Sequence, residues 1–253
     1  FYSADRALVR GKVACLAAER LPVGSRERSE RRRAALRYFH LAASYGLPSV
    51  LMLTCGLPAS GKSWAARAVC DPFEARILRS DVVRKAQAGL PPSASAASDF
   101  GTGLYAPEVT DQVYHSLLEQ ALARLEQGHS VVVDATFSHR VQRQPFLDAA
   151  ARLGHPVILL HARCPEELTR RRLAGRANDP GEVSDADLEV WRQARDHFEE
   201  PDEVNALLKV QVDPGDAPGD LTSRVLDQLV AQLGPSVHDH AQHVVVHEPR
   251  AES

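Results

Sequence analysis

No apolar stretch in these 253 residues approaches the roughly 20 residues needed to cross a bilayer. No basic-then-apolar leader opens the chain either. A membrane partner is therefore not expected, and the expected location is the cytoplasm. Cysteine is scarce: Cys15, Cys55, Cys70 and Cys164 are widely separated and form no Cys-x-x-Cys pair, so neither a zinc site nor a disulfide framework is indicated. All four read as reduced, mostly buried thiols. Net charge is also small, -3, yet it conceals an asymmetry. Residues 1 to 47 hold ten Lys and Arg against four Asp and Glu, so the remainder is acidic and the two parts differ in origin or contacts. Arg26, Arg28, Arg31, Arg32, Arg33 and Arg37 form the basic cluster, interrupted by Glu27 and Glu30. That pattern reads as a solvated helix face or one meeting an acidic partner, with a nucleic-acid patch as the alternative.

What is present is an ordinary globular composition, 44% hydrophobic and 25% charged, able to bury one sizeable core with an appendage. Within it, Gly56-Leu57-Pro58-Ala59-Ser60-Gly61-Lys62-Ser63 is a complete G-x-x-x-x-G-K-[ST] sequence directly behind the apolar run Val50 to Cys55. Gly56 and Gly61 allow the backbone to wrap with its N–H groups inward, and the following helix, opening at Lys62-Ser63-Trp64, adds its positive end to the same focus. Lys62 then reaches the β- and γ-phosphates of a nucleoside triphosphate, ATP or another, and Ser63 offers its hydroxyl to Mg²⁺. The pattern arises by accident in on the order of 1% of chains this long. Its placement between a strand and a helix makes a ligand-free glycine turn the weaker reading.

Residues 4 to 20 and 27 to 45 have helical periodicity and are separated by Leu-Pro-Val-Gly-Ser, which predicts a helical hairpin over 1–47. From residue 49 short aliphatic runs alternate with longer amphipathic ones, the wiring of an α/β fold. Strands are expected at 49–55, 75–79, 130–135, 156–162 and 207–212. Helices are expected near 62–70, 82–88, 107–127, 140–153, 165–176 and 185–199, with a final one after the Pro/Gly-rich stretch 213–220. Such a parallel sheet binds ligands beyond the carboxyl ends of its strands. The loop from Gly89 to Gly103 is rich in Pro, Ser, Ala and Gly and leads to Leu104-Tyr105-Ala106-Pro107, so it and Tyr105 are candidates to cover a substrate. A second loop, 177–183, precedes Ser184 and Asp187, which can cap the next helix. Residues 48–235 are the expected α/β domain and 236–253 a tail, whose histidines read as disordered rather than metal-binding.

Phosphoryl transfer needs positive charge on the phosphates, a metal, and a carboxylate that orients or deprotonates the attacking hydroxyl. Asp81 closes the second strand and Arg84 follows one helical turn later. The pair reads equally as a base with a substrate-holding arginine or as a helix N-cap with a surface arginine. Asp134 ends the run Val131-Val132-Val133, a layout suited to holding Mg²⁺ through water. Arg170, Arg171, Arg172 and Arg176 share one expected helix; Arg172 and Arg176, four apart, can close as a lid over the transferring phosphate, while Arg170 and Arg171 read as solvated. His139, Arg140 and Arg143 read equally as acceptor contacts or surface residues at a helix start. Trp191 and Phe198, seven apart on an expected helix, read as core.

Taken in order, the phosphate loop, Ser-Asp-x-x-Arg, Val-Val-Val-Asp-Ala-Thr-Phe and Arg-Leu-Ala-Gly-Arg resemble the P-loop kinases of the polynucleotide kinase and zeta-toxin group over residues 49 to about 212. That resemblance implies a P-loop NTPase fold with strand order 2-3-1-4-5. It implies Asp81 as the general base, Arg84 as a substrate ligand, and Asp134, Arg172 and Arg176 as active-site residues. Ala59-Ser60 departs mildly from the Gly-Ser or Gly-Thr common there. The first residues are also similar to the helix that ends the first domain of bacterial two-domain proteins joining an aminoglycoside phosphotransferase to an ATP-binding part. A chain without an initial Met or the H-x-D-x-x-x-x-N loop of that first domain reads as a piece of a longer protein, and no aminoglycoside activity is expected of it. The expected activity is ATP- and Mg²⁺-dependent transfer of a γ-phosphate to a hydroxyl on a small molecule or nucleic-acid end. The alternative is a nucleotide-binding regulatory module for an attached phosphotransferase domain.

Overall fold

The computed structural model describes residues 2–91, 103–176, 188–205 and 209–233. Most of the loop 89–103, the loop 177–183, the Ser184–Asp187 cap and the 236–253 tail lie outside the described residues.

Five aliphatic runs form one parallel sheet: β1 (Leu51–Cys55), β2 (Arg76–Arg79), β3 (Val131–Asp134), β4 (Val157–Ala162) and β5 (Lys209–Val212). Their order is β2-β3-β1-β4-β5, the order implied by the resemblance. In register, Leu51 faces Val131 on one side and Val157 on the other. Strands buried on both faces read as continuous apolar runs, and β1, β3 and β4 are buried at every position. Side chains alternate across the sheet. Leu51, Leu53, Val133 and Leu159 point to a core completed by Val113, Leu117 and Phe146. Met52, Val132, Ile158 and Leu160 point to the opposite core with Val69, Leu221 and Val225.

Helices follow each strand: α3 (Lys62–Cys70), α4 (Ser80–Gln87), α5 (Pro107–Glu126), α6 (Arg140–Leu153), α7 (Glu166–Arg176), α8 (Leu188–Asp196) and α9 (Pro218–Leu233), after the N-terminal pair α1 (Tyr2–Glu19) and α2 (Arg26–Ser44). Their limits follow local chemistry. Ser25 accepts the Arg28 N–H at the start of α2, Pro107 opens α5 where its missing N–H costs nothing, and Gly154 ends α6 at φ 70°. Helix α4 begins at Ser80, two residues before the expected start, so Asp81 lies inside its first turn rather than capping it. Helix α8 ends at Asp196, so Phe198 lies beyond it, where Glu199 N–H is drawn to the Ser138 carbonyl. Helix α1 packs on α2, and α2 docks on α9 through the His40–Ser223 contact of 3.0 Å.

Three of the four thiols depart from the expected burial. Only Cys55 is buried; Cys15, Cys70 and Cys164 are half-buried, and all four are free. Among the described residues no helix is long and apolar enough to cross a membrane.

Candidate functional site

The carboxyl ends of β1, β3 and β4 meet at the 56–61 loop. Gly56 takes φ 139°, and a Cβ there would run into the Ala162 carbonyl of β4; only glycine lets the loop lie this close to the sheet. Gly56 N–H donates to the Thr136 carbonyl at 3.0 Å, so the loop is tied to the turn after β3. Gly61 takes φ 110° at the N-terminus of α3, aiming amides and the helix dipole at one point. Ala59, at φ 60°, carries the left-handed strain a glycine would avoid. Its methyl group is buried against Leu173 and Trp191, which offsets part of that cost and accounts for alanine at this position.

Lys62 Nζ donates to the Leu57 carbonyl at 2.7 Å, folded over the loop it follows. Ser60 is 5% exposed, and its Oγ is buried with no hydrogen-bond partner. A buried hydroxyl left this way is uncommon. It borders a cavity of about 420 Å³ lined by Gly56, Leu57, His161, Arg163, Trp191, Phe198 and Pro214, among others. That volume falls in the range of small-ligand sites. An inward-wrapped loop, a lysine, a helix N-terminus and an orphaned hydroxyl fit phosphate oxygens.

Asp134 is positioned from two sides. The fully buried Thr54 of β1 exchanges hydrogen bonds with Ala135, donating to its carbonyl at 2.9 Å and accepting its N–H at 3.1 Å. Arg79 lies 3.6 Å from the Asp134 carboxylate. Among the described residues no group of three or more His, Cys, Asp and Glu side chains could hold a metal. One carboxylate and one hydroxyl, Asp134 and Ser63, instead suit Mg²⁺, which keeps its waters and takes most remaining ligands from phosphates.

Asp81 is brought within electrostatic reach of Arg84, Asp134, Lys62 and Arg79. Burial raises its carboxyl above the ordinary value and Asp134 adds to the rise, while Arg84, Lys62 and Arg79 act the other way. Arg84 is 6% exposed, unlike a surface arginine. Its Nη1 donates to the Leu104 carbonyl and, at 3.2 Å, to Thr110 Oγ1, and its guanidinium lies 4.7 Å from the Tyr105 ring centroid. Its Nε is buried without a partner. Arg84 thus anchors the segment carrying Tyr105, with one donor left toward the interior.

On α7, Arg172 reaches back to the phosphate loop, Nη1 donating to the Ala59 carbonyl at 3.1 Å. Arg170 and Arg171 pair with Glu166 and Glu167 one turn earlier. Arg176 ends α7, and its side chain lies outside the described residues. Arg140 is exposed and borders a separate, open cavity with Val141, Gln144 and Glu199; Trp64 is half-buried against the α3–α9 core. Two residues missed in the sequence touch the site: Thr54 and Tyr114. Their types carry no signal; only the fold brings them to the loop.

The sequence family AAA_33, described as an AAA domain, matches residues 51–201. The chain belongs to that AAA domain family. The uncharacterized protein Rv2004c of Mycobacterium tuberculosis is 28% identical over 192 residues, 75% of this chain but 37% of that protein. The chain therefore spans little over a third of the curated relative it matches. Kti12 of Chaetomium thermophilum, in complex with ADP-AlF3, superposes with a TM-score of 0.54 at 17% identity, over 73% of this chain and 99% of that one. A gluconokinase from Sinorhizobium meliloti superposes with a TM-score of 0.50 at 17% identity, over 77% and 98%. At these identities the likeness establishes the P-loop kinase fold, with its 2-3-1-4-5 sheet.

Proposed function

We propose that this AAA-family domain is an ATP- and Mg²⁺-dependent kinase that moves the γ-phosphate to a hydroxyl of a small molecule or a nucleic-acid end. The observation that carries this reading is Asp81: a carboxyl placed in one electrostatic neighbourhood with Lys62, Arg84 and Asp134. A domain that only bound nucleotide would not need a second carboxyl beside the phosphate lysine. Lys62 and the loop amides hold the phosphates, Asp81 takes the acceptor's proton, Arg84 and Tyr105 form the acceptor wall, and Arg172 with Arg176 closes over the transferring group. Bound Mg²⁺, held by Ser63 and Asp134, would neutralise charge developing on the phosphate oxygens. The cavity beside Ser60 and Trp191 is assigned to the nucleoside, consistent with its size and ring-lined wall.

The motif order supports the polynucleotide kinase and zeta-toxin group. A second reading, a nucleotide-driven regulatory module for an attached phosphotransferase domain, is favoured by one observation: the matched relative is much longer than this chain. An acceptor screen with γ-labelled ATP separates the two. Label on a sugar, nucleoside, aminoglycoside or oligonucleotide 5′-end supports the kinase; ADP and free phosphate alone, whatever is offered, supports the module. If oligonucleotides are the acceptor, their binding should weaken with salt and with neutralisation of the exposed arginines on α2.

A further inference from the structure

Arg143 is 0% exposed, the most deeply buried charged side chain among the described residues. Its Nε and Nη2 pair with the two carboxylate oxygens of Glu203, sixty residues away, and its Nη1 donates to the carbonyls of Phe137 at 2.7 Å and Glu199 at 3.0 Å. A buried ion pair is a poor source of net stability, because desolvation offsets its attraction. The position of this pair points to another use.

Phe137, whose carbonyl Arg143 holds, has φ 47°, a backbone conformation that costs a bulky residue energy and persists only where its surroundings enforce it. The enforcement is visible on three sides. Arg143 takes the carbonyl, the buried Tyr114 hydroxyl accepts the Phe137 N–H at 2.9 Å, and the Phe137 ring sits edge-on between Tyr114 and Phe146 at 5.1 and 5.0 Å. The preceding residue is Thr136, whose carbonyl accepts the Gly56 N–H of the phosphate loop and whose hydroxyl lies 3.3 Å from the Tyr114 oxygen. On its other side the turn is stitched to the segment beyond α8, where Glu199 N–H donates to Ser138 and the Glu199 carboxylate accepts the Arg140 N–H at 2.6 Å.

We propose that Arg143 is a positioning residue: with Glu203 and Tyr114 it holds the 135–138 turn in the strained conformation that sets the phosphate loop in register with the acceptor side of the site. The catalytic part of this inference rests on the kinase reading. The register is chiefly a backbone matter, since apart from the Thr136–Tyr114 hydroxyl contact the contacts that fix it end on a main-chain carbonyl or N–H or on the wedged Phe137 ring. Misplacement of a transfer site by about 1 Å is enough to cost on the order of 100-fold in rate, so a turn fixed this firmly has a direct kinetic consequence.

The test uses the double variant Arg143→Met/Glu203→Leu, which removes both charges together and leaves neither orphaned, alongside Tyr114→Phe, which removes one hydroxyl. Amide hydrogen exchange is measured with and without nucleotide, and kcat and nucleotide Kd are measured with an acceptor from the screen. The expected result for the double variant is a fall in kcat of about 30-fold or more with Kd held within about threefold. Protection at the Gly56 and Phe137 amides should fall at least about tenfold while that of β4 is unchanged. Tyr114→Phe moves the same readouts in the same direction by about fivefold. Wild-type kcat with unaltered protection at Gly56 and Phe137 overturns the proposal, as does protection lost evenly over β1 and β4, the pattern of a merely structural pair. If the double variant does not fold, Tyr114→Phe decides by the same measurements. Should the wild-type protein label no acceptor, the kinase reading fails, and the exchange pattern still decides whether Arg143 positions the loop.

Discussion

The Asp81 carboxyl is subject to opposing influences, and their balance predicts two behaviours of one variant. Burial is the largest influence and raises its pKa from 3.8; Asp134 raises it further, while Arg84, Lys62 and Arg79 lower it. The folded chain therefore holds this proton more tightly than the unfolded chain does. Stability is lost as pH rises through the window above 3.8, and the full penalty is present once the folded carboxyl has ionised. Asp81→Asn removes the penalty, so its melting temperature should exceed that of the wild type at pH 7, the gain fading as pH falls toward the ordinary carboxylate value. The same variant should lose about 10²- to 10⁴-fold in transfer rate, the usual weight of a general base, with nucleotide affinity changed by less than about threefold. Unchanged turnover would remove Asp81 from the chemistry. A lower melting temperature at neutral pH would show that the carboxylate is better paired than its surroundings imply.

At the scale of the element, α7 divides its arginines by direction. Arg170 and Arg171 answer Glu166 and Glu167 on the exposed side of the helix, solvent-screened pairs of the kind that contribute little. Replacing either by alanine should leave turnover within about twofold. Arg172 turns to the Ala59 carbonyl and lies 3.7 Å from where a Gly61 side chain would begin. Arg172→Ala should cost about 10²- to 10³-fold in kcat, and Arg172→Lys should recover little of it, because a point charge lacks the planar fork. Steady-state kinetics on the four variants checks this, and equal losses in all of them would mean that the helix acts only through net charge.

The division was legible in the sequence, as were the sheet and most helix limits, because glycine, proline and apolar runs punctuate this chain clearly. The end of α8 was not, since Phe198 keeps helical spacing with Trp191 while Glu199 is claimed by Ser138 on another element. Arg143 was equally opaque. An arginine near a helix start reads as surface or ligand until Glu203 is known to lie against it, and nothing in local pattern marks a partner sixty residues away. Ser60 shows the reverse, a residue placed by its motif whose orphaned hydroxyl only the packing reveals.

At the scale of the whole molecule, the α1–α2 hairpin joins the sheet domain through α9, and that junction contains a titratable group. His40 is buried, its Nε2 lies 3.0 Å from Ser223 Oγ, and a Cβ at Gly219 would overlap the Leu36 side chain of α2. Desolvation lowers the His40 pKa below 6.5, and burial likewise lowers that of His161 beside the nucleoside cavity. For a base with a depressed folded pKa the unfolded chain binds the proton more readily. Its contribution is therefore complete above 6.5 and is lost as pH falls below that value. Acidification from pH 7 to about 5.5 should then lower the melting temperature and expose the α2–α9 junction first, because α2 has few other anchors on the sheet domain. His40→Gln keeps an amide able to reach Ser223 but cannot titrate, so it should be slightly less stable than the wild type at pH 7 and lose less on acidification. Thermal melts at the two pH values, with amide exchange across 34–44 and 218–226, measure both effects. Equal acid sensitivity of the two proteins would place the loss in His161 or the carboxylates instead of at the hairpin junction.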